Sequence, residues 1–268
     1  MKTGNVAILM CCYNAESTVA LSINSVLKQS FNNFQFIIIN DASTDTTVEI
    51  LHSFSEKDNR ISLYSNDKNI GLTRSLNRGL NYCKGTYIAR IDADDIWVQD
   101  KLAQQVNYLE AHPNCALLGT AYQRIDANGA YLGEATIPVL NSDQLIRNAI
   151  IKFNPFFHSS VIFRRDACMQ LGGYDESYRY AQDYNLWVRF AAKYSVANLS
   201  DILAFQRITP ESISIKKERQ QRWYGLKSKL LAIKLLKLSA LHYYYLLNNL
   251  AVIVLPRSFV RFIRILKH

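Results

Sequence analysis

Residues 87–95 read Tyr-Ile-Ala-Arg-Ile-Asp-Ala-Asp-Asp, a short apolar run that ends in a cluster of three carboxylates. The apolar part, 87–91, is typical of a buried strand. Carboxylates this close repel one another, and a bound hard cation would relieve the repulsion. Two interpretations are open at this point. Asp92, Asp94 and Asp95 bind a divalent cation, or they form a solvated acidic turn that caps the following helix.

The segments around this stretch repeat one order of apolar run and amphipathic pattern over about the first 110 residues. The apolar runs occupy 6–12, 34–39, 61–64 and 87–91, and the helical patterns occupy 16–29, 45–57, 71–83 and 99–111. This alternation is typical of βαβ units, so the sequence predicts an α/β domain around a parallel sheet.

A second polar group, Asn40-Asp41, follows the second apolar run. Because ligands bind at the carboxyl ends of strands in open parallel sheets, we expect Asp41 and the 92–95 cluster to converge on one rim. Tyr13 ends the first run and offers a ring on which a base can stack, and Asp41 can accept a hydrogen bond from a base or a sugar. Each alone also fits a structural role, Tyr13 in the core and Asp41 as a cap. Together they predict a nucleotide pocket.

The usual glycine-rich nucleotide motifs are missing from the sequence. No GxGxxG follows the first strand, and no GxxxxGKS or GxxxxGKT occurs in the chain. The sequence therefore disfavours a dinucleotide-binding fold and a P-loop NTPase.

The middle of the chain, from about 115 to 210, mixes strand and short helical patterns. Asp126-Ala-Asn-Gly129 predicts a hairpin turn between strands at 117–125 and 131–137. Gly172-Gly173 fits a close backbone approach to a sugar or a plain turn. His158 fits a contact to a diphosphate or acceptor, or a hydrogen-bonded structural histidine.

A helical pattern from about 182 to 193 places Asp183 in the first turn of a helix. The helix dipole at that end favours the ionised carboxylate and should lower the pKa of Asp183. The sequence therefore suggests a base that accepts a proton only as bonds break, or a simple helix cap.

Charge and cysteine content set limits on the class of protein. The formal net charge of +9 is unevenly distributed: residues 216–268 carry 12 Lys and Arg against one acid, Glu218, a balance of +11, and residues 1–215 have a balance of −2. A mildly acidic body disfavours a nucleic-acid-binding face, and the basic tail points to an anionic surface. The five cysteines lack CxxC spacing, which disfavours a disulfide scaffold or zinc site and fits a reducing cytosol.

The C-terminal 53 residues, 216–268, have a different character from the body, 1–215. They hold a basic amphipathic pattern at 226–237, an uncharged stretch at 238–255 and a second basic piece at 259–266. The uncharged stretch is short and contains His and Asn, so it makes a poor membrane span. We expect an interfacial helical tail on an anionic membrane, and the alternative is a pair of helices packed on the body or on a second subunit.

Five motifs occur in order along residues 4–210. They are Cys12-Tyr13-Asn14-Ala-Glu16, Asn40-Asp41-Ala-Ser43-Thr-Asp45, Lys68-Asn69-Ile-Gly71-Leu, Lys84-Gly85-Thr-Tyr87 running on to Asp95, and Gln182-Asp183-Tyr-Asn-Leu-Trp187. This series resembles family 2 glycosyltransferases of the bacterial polysaccharide branch. The resemblance implies the GT-A fold, an α/β Rossmann-like domain with a mostly parallel sheet and helices on both faces, here followed by a helical tail.

The resemblance also implies roles for individual residues. It implies a nucleoside-diphosphate-sugar donor, usually UDP-linked, Asp183 as catalytic base, and Mg²⁺ or Mn²⁺ held by Asp94. The implied donor-binding residues are Tyr13, Glu16, Asp41, Asp92 and Asp94, and the candidate acceptor or diphosphate contacts are His158, Gln182 and Arg207. Asp95 then serves as a cap beside the metal ligand.

Departures from the family pattern refine these expectations. Cys11-Cys12 stand where relatives have Pro-Thr, a change we expect to be silent. Thr209 stands where many relatives have His, which puts a second protein ligand to the metal in doubt. Residues 219–223, Arg-Gln-Gln-Arg-Trp, match only half of the QxxRW motif of processive synthases, which favours transfer of a single sugar.

The sequence thus predicts an inverting transferase that adds one sugar to a lipid-linked saccharide at the cytoplasmic face of the membrane. Metal neutralises the leaving diphosphate, and a carboxylate takes the acceptor proton on the opposite face of the sugar. One alternative is a non-catalytic saccharide-binding module, against which the presence of both Asp94 and Asp183 counts. Another is a sugar nucleotidyltransferase, whose glycine-rich loop is absent here.

Overall fold

The computed structural model describes residues 5–133, 139–209, 216–247, 250 and 253. Within them, eight strands form one sheet in the order β3-β2-β1-β4-β7-β6-β8-β5. The strands are β1 Val6–Cys12, β2 Phe34–Asn40, β3 Ile61–Ser65, β4 Tyr87–Arg90, β5 Ile96–Trp97, β6 Cys115–Ile125, β7 Ile162–Arg164 and β8 Ser195–Arg207.

Helices connect the strands in the described part of the chain. They are α1 Val19–Leu27, α2 Thr47–Lys57, α3 Leu72–Tyr82, α4 Lys101–Ala111, α5 Asp143–Ala149, α6 Arg165–Gln170, α7 Gln182–Lys193 and α8 Glu218–Leu235. Two 3-10 helices cover His158–Ser160 and Ala240–Leu246. The four predicted strands and the helices that follow them are confirmed, with ends shifted by a few residues.

The first four sheet neighbours run parallel, so their carboxyl ends meet at one edge. β1 pairs with β2 so that Cys12 lies opposite Asn40, and with β4 so that Leu9 lies opposite Arg90. The backbone N–H of Asp41 donates to the carbonyl of Cys12 at 2.9 Å. The residues that follow β1, β2 and β4 therefore share one rim, as predicted.

Helices cover both faces of the sheet because its central strands alternate apolar side chains to each side. In β1, Leu9 belongs to the core under α3 and α7, whereas Ile8 and Met10 belong to the core under α1 and α4. Both cores are apolar and closed, so the predicted layering of an α/β domain is confirmed.

Helix α8 begins at Glu218, well before the predicted start at 226. Its inner side buries Leu226, Ala232 and Ile233 in the same core cluster that holds Trp187 of α7. Packing on the body, the alternative to a membrane-surface helix, is therefore correct for this side of α8. Among the described residues, no helix is long and apolar enough to cross a membrane.

The predicted hairpin and glycine pair take simple forms. Ile125 bridges Tyr131 around the 126–129 turn, and residues 134–137 of the predicted second strand lie outside the described residues. Gly172 and Gly173 have φ of 81° and 67°, and the Gly173 N–H bonds to the carbonyl of Cys168 at 3.0 Å. They end α6, so the plain turn is the better interpretation.

Candidate active site

The loops after β1 and β2 are joined to each other by side-chain hydrogen bonds. Asn14 and Thr44 bond reciprocally, with the Thr44 N–H donating to Asn14 Oδ1 at 2.8 Å. Glu16 Oε2 accepts from the Thr46 N–H at 3.0 Å and from its hydroxyl at 2.6 Å. Glu16, a predicted donor-binding residue, thus holds the loop after β1 against the loop after β2. No contact in the structure tests its predicted role toward a nucleotide.

Tyr13 stands beside these loops with 48% of its surface exposed. The alternative of a core tyrosine is therefore wrong. Its ring is available to a flat ligand such as a base.

Asp41 is buried at the same rim and organises the loop before α3. Its carboxylate accepts from Asn66 Nδ2 at 2.6 Å and from the N–H groups of Ile70 and Gly71, each at 2.9 Å. A carboxylate offers about four acceptor positions, so three donors leave room for about one more. The observed contacts of Asp41 are therefore structural, and they do not test its predicted role toward a nucleotide.

The acid cluster after β4 is held from below by Arg90. The guanidinium of Arg90 is fully buried and forms an ion pair with Asp92, whose side chain is 29% exposed. Ser159 Oγ accepts from the Asp92 N–H at 2.9 Å and lies 3.1 Å from Asp92 Oδ2. Although burial alone would raise it, the pKa of Asp92 lies below its ordinary value, chiefly because of the charge on Arg90.

The three carboxylates of the cluster differ in their hydrogen-bonding partners. Asp95 is 3% exposed and accepts from the Ser159 hydroxyl and from the Arg207 N–H, so it is not a solvated cap. No side chain among the described residues donates a hydrogen bond to the partly exposed carboxylate of Asp94. Burial and the charge of Asp92 raise the pKa of Asp94 to about 6.

These contacts decide whether a divalent cation fits. Asp94 is partly exposed, and among the described residues it is the carboxylate of the cluster to which no side chain donates a hydrogen bond. A nearby cation would favour its charged form. In the described part of the chain, no three acidic, His or Cys side chains are grouped closely enough to form a cage for a metal. One carboxylate together with diphosphate oxygens and water is a normal shell for Mg²⁺ or Mn²⁺, so the residues fit such an ion.

His158 lies beneath the cluster and is buried. Its Nε2 is 3.0 Å from the Tyr174 hydroxyl, and its Nδ1 is 3.9 Å from Asp92 Oδ2. Burial and the neighbouring Arg90 lower the pKa of His158 to about 3, so the ring is neutral. This geometry matches the structural interpretation of His158, a buried neutral ring that hydrogen-bonds with Tyr174.

Arg207 joins the acid cluster to the hairpin turn. Its Nε donates to the Asp94 carbonyl at 3.0 Å, and its Nη1 donates to the carbonyls of Asp126 and Ala127 at 2.9 and 2.8 Å. The side chain is buried, as is that of Gln182. The geometry favours a positioning role for Arg207 over the predicted contact with acceptor or diphosphate, which these contacts do not test.

Asp183 enters the same site from the first turn of α7. Asn154 Nδ2 donates to its Oδ2 at 2.9 Å. The expected low pKa is wrong: burial, together with the charge of Asp92, raises the pKa of Asp183 to about 6, because hydrogen bonds from the Tyr184 backbone and from Asn154 offset only part of the effect. A carboxylate with a pKa near 6 is better matched to proton abstraction near neutral pH.

Sequence reasoning assigned no role to the residues that hold the site together, Arg90, Ser159, Asn66 and Asn154. Arg90 did carry a signal, because a charged residue inside an apolar strand run needs a buried partner. The others are short polar residues in loops. Their roles depend on partners distant in sequence.

Comparison with known proteins identifies the family. The model for glycosyl transferase family 2 matches residues 7–172. The chain is 32% identical to the putative glycosyltransferase EpsE of Bacillus subtilis, over 94% of this chain and 90% of that protein. It is 30% identical to the UDP-Glc:alpha-D-GlcNAc-diphosphoundecaprenol beta-1,3-glucosyltransferase WfgD of Escherichia coli, over 81% of this chain and 83% of that protein. A glycosyltransferase of Haemophilus influenzae is 32% identical, and there the chain spans 65% of the relative's length.

Solved structures share the architecture. S. aureus TarS 1-349 in complex with UDP-GlcNAc superposes with a TM-score of 0.72 at 16% identity, covering 95% of this chain and 77% of the 1-349 chain. The mannosyltransferase PcManGT of Pyrobaculum calidifontis, in complex with GDP-Man and Mn²⁺, gives 0.71 at 16% identity, covering 98% and 79%. Together with the family match, these likenesses show that the chain belongs to glycosyl transferase family 2 and is a glycosyltransferase of GT-A fold.

Proposed function

We propose that this glycosyltransferase moves one sugar from a UDP-sugar to a lipid-linked saccharide, with inversion, in cell-surface polysaccharide biosynthesis. The observation that carries the proposal is the meeting of two carboxylates at one site. Asp94 and Asp183 lie on different elements, and each is close enough to Asp92 for that charge to raise its pKa. The printed activity of WfgD and the UDP-GlcNAc complex of TarS support a UDP-linked donor and a lipid-linked acceptor.

Asp94 and Asp183 have different roles in an inverting displacement. A divalent ion held by Asp94 would supply charge stabilisation for the departing diphosphate. Arg90 keeps Asp92 ionised beside it. Asp183 accepts the proton of the acceptor hydroxyl as that oxygen attacks the anomeric carbon from the opposite face.

The base and ribose of the donor belong to the rim formed after β1 and β2. The exposed ring of Tyr13 stacks on the base, and the remaining acceptor position of Asp41 receives a base N–H. Glu16 holds the two loops at the spacing that this contact needs. Gln182, which directly precedes the catalytic residue Asp183, and His158, beneath Asp92, support the reacting groups.

A metal-dependent transfer assay tests this function. The purified chain is supplied with Mn²⁺, a panel of UDP-sugars and GDP-Man, and GlcNAc-α-diphosphoundecaprenol as acceptor. We expect acceptor-stimulated UDP release with one UDP-sugar, and a product whose new linkage has the anomeric configuration opposite to the donor's by NMR. A retained configuration would rule out inversion, and turnover with GDP-Man alone would rule out the UDP assignment.

We also propose that the tail, 216–268, places this domain, 1–215, at the cytoplasmic face of the inner membrane. An exposed apolar surface follows α8, with exposures of 85% at Leu241, 71% at Tyr244 and 56% at Leu247. Lysines and arginines flank it along the sequence, which suits an anionic lipid surface. Lys229 donates to the Tyr245 carbonyl at 3.1 Å and fixes this segment on α8.

Replacing both Leu241 and Leu247 by Ser should weaken binding to anionic liposomes by about 10-fold or more. The reason is that two leucine side chains would no longer bury apolar surface at the membrane–water interface. Sedimentation with vesicles measures the effect. Deleting 216–268 is a poorer test, since it would uncover the core that α8 buries. Leu145→Ser is the matched control, an equally simple change at a leucine that is 49% exposed on α5. Equal partitioning of wild type and the double variant would remove the membrane proposal.

A further inference from the structure

Asn154 lies next to Asp183, in the loop between α5 and the 3-10 helix His158–Ser160, and its two amide atoms have different partners. Nδ2 donates to Asp183 Oδ2 at 2.9 Å, and Oδ1 accepts from the Phe156 N–H at 3.2 Å. An amide nitrogen can only donate and its oxygen can only accept, so a turned amide would lose both hydrogen bonds. The contact with Phe156 therefore presents the N–H groups of Asn154 to the carboxylate of Asp183.

The loop that carries Asn154 is held on both sides by residues outside it. Asn198 of β8 donates through Nδ2 to the Pro155 carbonyl at 3.3 Å. The hydroxyl of Tyr184 in α7 donates to the Ile150 carbonyl. Pro155 itself fixes one backbone torsion directly after Asn154. Asn154 is therefore held in place by contacts that do not depend on Asp183.

The backbone that leads into α7 is fixed as well. Ala181, two residues before Asp183, has φ of 52°, in the left-handed region that a Cβ disfavours. Its carbonyl accepts from the Asn185 N–H at 3.2 Å, which closes the first turn of α7 around Asp183. Residues in such conformations persist only where the surrounding contacts determine them. The main chain thus sets the position of Asp183, and Asn154 contacts the end of its side chain.

The charge that faces Asp183 opposes its ionised form. Asp92 faces it from the loop after β4, and the other titratable groups that interact with it include Tyr174, from the loop before α7, and Tyr184. Burial raises the pKa of both tyrosines, so both are neutral near pH 7. Hydrogen bonds from Asn154 and from the Tyr184 backbone act the other way and favour the carboxylate. Asn154 therefore opposes the effect of Asp92 at the base.

We propose that Asn154 is a positioning residue for sugar transfer: its N–H holds Oδ2 of the ionised Asp183 and leaves the other carboxylate oxygen for the proton of the acceptor hydroxyl. The inference rests on the proposed function, in which Asp183 is the base. The competing role is structural only, with Asn154 stabilising its own loop through the Phe156 N–H. The difference matters because a base displaced by about 1 Å can cost a reaction about 100-fold in rate.

The variant Asn154→Asp separates the two roles. Its carboxylate keeps the size of the side chain and can still accept from the Phe156 N–H, but it has no N–H to donate and it repels ionised Asp183. The pH below which kcat/KM falls, about 6 in the wild type, should therefore rise by about two units. A purely structural Asn154 would leave that pH where it is in the wild type, and this result would overturn the proposal.

The variant Asn154→Ala removes the donor without adding a charge. The pH below which kcat/KM falls should rise by about one unit, because one hydrogen bond to the charged form is lost. Above that pH, kcat should be about 10-fold below wild type. The KM for the donor should stay near the wild-type value, since the hydrogen bonds of Asn154 go to Asp183 and Phe156 and not to the donor rim. Initial rates from about pH 5 to 9 measure these quantities.

Asn198→Ala is the matched control, because it frees the same loop at Pro155 while Asn154 keeps its donor. It should lower the melting temperature and leave the pH dependence of kcat/KM at the wild-type position. An equal shift in Asn198→Ala and Asn154→Ala would show that loosening of the loop, and not the hydrogen bond, moves the base, and it would refute the proposal.

A measurement without turnover separates this inference from the proposed function. Carbon NMR of the Asp183 carboxyl group, assigned with Asp183→Asn, reports its pKa in the wild type and in both Asn154 variants. Unchanged pKa values in an enzyme that transfers sugar would refute the positioning role and leave the function standing. Raised pKa values in both variants, in a protein that transfers no sugar, would refute the function and leave Asn154 as a group that keeps Asp183 ionised.

Discussion

Replacing Asp183 by Asn should reduce sugar transfer by about 100-fold or more while UDP affinity stays near that of wild type. The amide keeps the size of the side chain and can still accept the hydrogen bond from Asn154, but it cannot take a proton. Initial rates with donor and acceptor, beside calorimetry with UDP and Mn²⁺, measure the two quantities. Transfer within a few-fold of wild type would show that Asp183 is only a helix cap.

The stability of this variant provides an independent readout. The pKa of Asp183 rises on folding from 3.8 to about 6, so its ionisation opposes folding. That cost appears as pH rises from about 4 to 6 and is complete above the folded pKa, where a two-unit shift corresponds to at most about 3 kcal/mol. Because the side chain is partly exposed, we expect about 1 kcal/mol. Asp183→Asn should therefore melt at the same temperature or higher at pH 7.5, with the difference gone near pH 4.

The pH dependence of transfer follows from the same group. The ionised form of Asp183 is the base, so kcat/KM of the wild type should fall below pH about 6. Binding of UDP and metal should be recorded across the same range, since the nearby Asp94 also titrates. A flat profile down to pH 5 with normal metal binding would contradict a base of this pKa.

The sequence predicted the elements whose pattern is local. Strands β1 to β4 are mostly apolar runs, and α7 has inward residues at helical spacing, so each could be predicted without knowledge of its partners. Strands β5 and β7 have only two and three residues, too few for a pattern. The start of α8 was missed because 218–225 is mostly polar and becomes helical against α7.

In the site, too, properties set by neighbouring residues in the sequence could be predicted, and properties set by contacts with distant segments could not. The position of Asp183 in the first turn of α7 was predicted correctly, yet its pKa was not. The dipole of a helix is a local property, whereas burial depends on side chains brought from other segments, such as Asn154. Likewise, a cluster of three acids indicates a cation site. Only the structure shows that Asp92 is already paired with Arg90 and that Asp95 already accepts a hydrogen bond from Ser159. The family resemblance had already implied Asp94 as the metal ligand, and the structure adds a physical reason, because no side chain among the described residues donates a hydrogen bond to its carboxylate.

Replacing Asp94 by Ala should weaken UDP binding in Mn²⁺ by about 30-fold or more and make it insensitive to EDTA. Wild-type affinity should fall on EDTA treatment, because the rim would then present Asp92 and Asp94 to a diphosphate of the same charge. Calorimetry with UDP, with and without Mn²⁺, compares the two proteins. Asp100→Ala is the control, since it removes an exposed carboxylate at the start of α4 and should bind UDP as wild type does. Wild-type UDP affinity that is unchanged by EDTA would show that Asp94 holds no metal toward the nucleotide, and the leaving diphosphate would then have to be stabilised by protein cations.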